Sequence, residues 1–72
     1  MTIIETTTKY VESQLNYAGM YPADAQLYEH NAFGAVEVAC QILNAQKDYW
    51  TSKELEDRWA SEWMNLFHQL YR

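Results

Sequence analysis

The chain reads as all-α: an antiparallel three-helix bundle, with helices over about 3–18, 23–45 and 52–71 and the middle helix most buried. Three observations predict this. Apolar residues recur at three- and four-residue steps in each segment, which is the helical period. Capping-box patterns, Thr2-x-x-Glu5 and Thr51-x-x-Glu54, open the first and third segments. Between the segments, "GMYP" and "QKDYWT" have the length of turns that join bundle helices. With no repeat, low-complexity run or linker, residues 1–72 form a single helical domain.

In the first helix Ile3, Ile4, Thr7, Tyr10, Val11, Gln14, Leu15 and Ala18 make the apolar stripe, with Glu5 and Lys9 four apart on the other face. Gly19 is expected as a left-handed C′ residue, with Met20 reaching back to Leu15 in a Schellman ending. Pro22 forbids continuation.

The middle helix is apolar most of the way round. Leu27, Tyr28, Ala32, Phe33, Ala35, Val36, Val38, Ala39, Cys40, Ile42 and Leu43 spread over roughly 240° of the wheel. A narrow polar strip remains, formed by Gln26, His30, Gly34, Glu37, Gln41 and Asn44. Such a helix is surrounded on most sides, and two flanking helices leave part of that arc uncovered.

In the third helix Leu55, Trp59, Trp63, Leu66 and Leu70 form the stripe, widened by Ala60, Met64, Phe67 and Tyr71. Trp50 and Leu55 are placed as a hydrophobic staple around an N-cap at Thr51.

Composition excludes several functions. Ten acidic residues stand against five basic ones, Lys9, Lys47, Lys53, Arg58 and Arg72, none adjacent to another. No basic stripe is available for phosphates, so neither direct nucleic-acid binding nor an anionic membrane surface is expected. No apolar run approaches the roughly 18 residues that span a bilayer, and the N-terminus has no signal-peptide pattern. Cys40, the sole cysteine, sits within "VACQIL" as a small hydrophobe, which fits a reducing, cytoplasmic setting.

Catalytic motifs are missing: there is no phosphate-binding glycine loop, HExxH, CxxC or GxSxG. No enzymatic activity, metal or cofactor is expected. His30 and Glu37 flank Gly34 on the polar strip, but two ligands seven apart are an incomplete zinc set. His68 is read as a surface residue. Glu29 and Asn31 are the informative pair, because both fall inside the apolar arc, where a carboxylate must be paired or protonated. Either the open bundle end and the helix dipole tolerate them, or Tyr10, Tyr17, Gln14 or a partner chain supplies hydrogen bonds. A ligand pocket formed by Glu29, Asn31, Tyr10 and Tyr17 is the third reading.

A chain this short buries only about 60% of its unfolded surface, and aromatic residues make up 15% of it. The expected function is therefore a protein-interaction or oligomerisation module, with a homodimer favoured over another protein partner. Trp59, Trp63, Phe67, Tyr28 and Phe33 are its candidate surface, although the stripe of Trp59 and Trp63 reads first as core and offers Trp63 and Phe67 as anchors only if it is exposed. Two alternatives stand beside it: a ligand-binding bundle centred on Glu29, and an acidic inhibitor that mimics nucleic acid through Glu54, Glu56, Asp57 and Glu62.

Overall fold

A computed structural model describes residues 2–71. It is a compact three-helix bundle. α1 (Ile3–Met20) leads through a single 3₁₀ turn (Pro22–Asp24) into α2 (Ala25–Ala45). The third arm is one continuous rod built from α3 (Tyr49–Arg58), a π-helical turn (Trp59–Trp63) and α4 (Met64–Leu70).

Thr2 caps α1 as its spacing predicts, accepting the Glu5 amide at 3.2 Å. The Glu5 carboxylate takes the Thr2 hydroxyl at 3.0 Å rather than the Thr2 amide. The far end differs from expectation. Gly19 keeps a negative φ and lies inside the helix, which runs to Met20. Proline, not glycine, ends α1: Pro22 offers no amide, and its ring drives Tyr21 out of the helical region, to φ −128° and ψ 71°.

The left-handed ending appears instead at the end of α2, on a lysine. Lys47 takes φ 63°. The Asp48 amide donates to the Leu43 carbonyl at 2.8 Å and the Lys47 amide to the Asn44 carbonyl at 3.0 Å. That pair of bonds is the Schellman arrangement, with Gln46 as C-cap and Lys47 at C′. Asp48 then caps the next helix by accepting from the Thr51 amide at 3.3 Å. The third arm therefore starts at Tyr49, three residues before the expected 52, and Thr51 is not its N-cap. Trp50 falls within the first turn, 87% exposed, while Leu55 is fully buried, so the staple does not form.

The π turn is the main departure in the third arm. Leu55, Trp59, Trp63 and Phe67 are all buried, at steps of four. In an α-helix each such step drifts about 40° around the axis. One extra residue in the π turn takes back about 100° and keeps all four on one side. Beyond the turn the face is shifted: Phe67 is buried where the regular wheel favours Leu66, and Leu66 is 39% exposed. Ala60 is exposed and Met64 only half-buried.

α1 contributes Thr7, Val11, Gln14 and Ala18 to the core, and α2 contributes Ala25, Ala32, Val36, Ala39, Cys40 and Leu43. The alanines let α1 and the third arm approach α2 closely. Trp63, Phe67, Leu55 and Val11 are the largest fully buried side chains. The guanidinium of Arg58 lies 4.6 Å from the Trp63 ring centroid while its Nε donates to Glu62 at 3.3 Å.

Candidate functional site

Three places on this scaffold carry more than packing. The first is a polar knot around Glu29. In α2 the core positions run 25, 32, 36, 39 and 43, and residue 29 lies on the same stripe. A carboxylate thus occupies a core register position, and its side chain is only 17% exposed. Its partners come from the end of the third arm. The Tyr71 hydroxyl donates to Glu29 Oε1 at 2.8 Å, and His68 Nε2 stands 2.8 Å from Oε2. Oε2 is buried without an aligned hydrogen bond among the described residues, so His68 stands against it in close contact and not as a directed donor. Burial, the hydrogen bond to Glu29 and then its negative charge push the Tyr71 hydroxyl above the usual phenol range.

His68 keeps a side chain 40% exposed, so it lies at the surface as expected, but its Nε2 is turned onto Glu29. The regular wheel gives no sign of this contact, because the π turn rotates everything beyond it. The pocket of Glu29, Asn31, Tyr10 and Tyr17 does not assemble. Asn31 lies on another side of α2, where its amide donates to Gln14 at 3.4 Å. Tyr10 lines a groove with Asn31, whereas Tyr17 packs against Tyr28 with ring centroids 5.8 Å apart. Only Gln14, of the expected partners, meets either residue. Spacing within one helix could flag Glu29 as needing a partner but could not name one from the chain's other end.

The second place is the face shared by α1 and α2. A groove of about 570 Å³ runs between Ile3 and Tyr10 on one side and Gly34, Ala35, Val38 and Ile42 on the other. No charged residue lines it. Leu27, Val38 and Ile42, 58%, 55% and 44% exposed, continue the same side of α2. Among the five aromatic candidates for an interaction surface, Trp59, Trp63 and Phe67 are buried in the core, Tyr28 is half-buried and Phe33 is exposed. The tryptophan stripe is therefore not available as a surface; the apolar side chains left exposed are partly aliphatic, on α2, and partly aromatic, with Tyr49 60% and Trp50 87% exposed at the start of the third arm.

The third place is a groove of about 410 Å³ between α2 and α3, floored by Phe33, Val36, Cys40 and Trp59, with Glu37 and Glu56 on its sides. The Phe33 and Trp59 rings stand 5.2 Å apart. Cys40 is buried, its thiol donates to the Ser52 carbonyl at 3.5 Å, and burial raises its pKa. His30 and Glu37 do not frame a common site over Gly34: Gly34 lines the α1–α2 groove, Glu37 the α2–α3 groove, and His30 a hollow beside Glu29.

Among the described residues no three His, Cys, Asp or Glu side chains gather as a metal set, and no helix is long and apolar enough to cross a membrane. Of the carboxylates considered for nucleic-acid mimicry, Glu54, Glu56 and Asp57 are exposed, and Glu62 is engaged by Arg58. No family model, curated protein or solved structure matches the chain.

Proposed function

We propose that this protein is a non-catalytic self-association module, whose α1–α2 face docks on a second copy to form a homodimer in a reducing, cytoplasmic setting. One observation carries the reading: an uncharged apolar groove on a chain of net charge −5. The grooves lined by Glu37 and Glu56 or by Glu5 and Glu12 would bring carboxylates together in a pair of copies, whereas this face meets itself without like-charge repulsion. Burying an aliphatic side chain fully is worth about 1.5–3 kcal/mol, and Leu27, Val38 and Ile42 have roughly half of that still to gain.

Gly34 and Ala35 permit close helix approach, and a Cβ at Gly34 would meet nothing within 4 Å. Asn31, bonded to Gln14, lines one end of this groove, where one polar position can set the register of two apolar helices. A buried Cys40 thiol, kept protonated, supports the reducing setting and the absence of nucleophilic chemistry.

Sedimentation velocity over a concentration series is the direct test. The expected result is a dimer that Val38→Lys or Ile42→Lys converts to a helical monomer. A wild-type chain that stays monomeric at several hundred micromolar would sink the reading.

A further inference from the structure

We infer that the groove between α2 and α3 binds an arginine side chain presented by a basic segment of another protein. Its volume, about 410 Å³, lies within the range of ligand-holding clefts. Its floor is apolar, from Val36 and Cys40, and one end is the Phe33–Trp59 ring pair. Phe33, which lines this groove, is 41% exposed, so part of its ring is open to a ligand.

The sides supply charge of one sign. Glu37 comes from α2 and Glu56 from α3, and no basic residue lines the groove. Among the described residues the carboxylates with a basic side chain within 4 Å are Glu62, beside Arg58, and Glu29, beside His68, so Glu37 and Glu56 both stand without a cation. An aliphatic stem along the floor, a planar cation against an aromatic ring and two flanking carboxylates are the requirements of a guanidinium. Lysine, a compact and strongly hydrated ammonium, gains less from the rings.

The groove also continues past Phe33 and Trp59. These two residues line a further hollow of about 250 Å³ that holds Glu29 and His68. A peptide has room there for a neighbouring residue, which favours a protein segment over a free small cation. This groove is centred about 160° around α2 from the α1–α2 face, so the inference stands apart from the dimer reading.

The test is a titration of the isotopically labelled full chain, followed by amide and indole NMR shifts, with a blocked peptide, acetyl-Gly-Arg-Leu-Arg-Gly-amide. Shifts are expected at Phe33, Glu37, Glu56 and the Trp59 indole. The double substitution Glu37→Gln with Glu56→Gln, both at exposed positions, is expected to weaken binding by about tenfold or more while the spectrum stays folded. The peptide with citrulline in place of arginine should bind as weakly. Shifts elsewhere, no saturable shifts at millimolar peptide, an unchanged affinity in the double variant, or equal binding of the citrulline peptide would each overturn the inference. Spermidine binding as tightly as the peptide would overturn it as well, by making the groove a general cation site.

Discussion

His68 Nε2 lies 2.8 Å from Glu29 Oε2, tying the end of the third arm to the second turn of α2. With the Tyr71 hydroxyl on Oε1, this contact closes the bundle at the end where the chain would otherwise fray.

The directed bond is part-buried and should matter to stability. Tyr71→Phe is expected to lower the midpoint of urea denaturation, because a hydrogen bond to a carboxylate is lost. Glu29→Leu is expected to be neutral or stabilising, since residue 29 lies on the core stripe and an aliphatic side chain suits it. A loss above about 3 kcal/mol in Glu29→Leu would contradict this account of the knot.

The alkaline limb of stability should report Tyr71. Its folded-state pKa is raised above the ordinary value near 10, so the folded chain holds that proton more tightly than the unfolded chain. The resulting stabilisation is present in full below the unfolded value and is lost as pH rises through the folded one. Ultraviolet titration of the phenolates should show a late-ionising tyrosine in the wild type that moves down in Glu29→Gln.

Cys40 should resist alkylation in the native chain. Its thiol is buried and its pKa raised, so the thiolate is scarce near neutral pH. Iodoacetamide labelling followed by mass spectrometry is expected to be slow in buffer and fast in denaturant. The linked stability is held below the ordinary thiol value and lost above the raised one.

Three backbone substitutions have opposite lessons. Gly19→Ala is expected to add about 0.5–1 kcal/mol, because Gly19 is helical and a Cβ there meets nothing within 4 Å. Lys47→Gly should also stabilise, by a comparable amount, since φ 63° disfavours a residue with a Cβ. Gly34→Ala should stabilise the monomer likewise but weaken self-association, which thermal melts and sedimentation separate. An unchanged dimer in Gly34→Ala would count against close helix approach at that point.

Arg58 should matter through the ring it covers. The Arg58–Glu62 pair is solvent-exposed and contributes little, whereas the guanidinium shields Trp63, which is 1% exposed. Arg58→Ala is expected to cost about 1 kcal/mol and Glu62→Gln a few tenths. Trp63→Ala, a core truncation, is expected to cost about 3–5 kcal/mol. Equal effects for Arg58→Ala and Glu62→Gln would show that the ion pair, not the ring contact, dominates.

The sequence by itself determined the three arms, the Thr2 cap, the stop at Pro22, the largely apolar α2 and the presence of a carboxylate in an apolar arc. These follow from period, local hydrogen bonding and ring sterics, which act within a few residues. Where two local signals competed, tertiary structure chose. Asp48 displaced Thr51 as cap because the Schellman turn at Lys47 delivers Asp48 to the helix start. The π turn was illegible for a related reason: it keeps Trp59, Trp63 and Phe67 all in the shared core, a demand that no regular wheel contains. That one inserted residue turned Leu66 outward, brought His68 to Glu29, and buried the aromatic stripe that the sequence offered both as core and as surface. Which apolar side chains remained exposed, the aliphatic side of α2 and the acidic groove opposite among them, was decided only when the three arms packed.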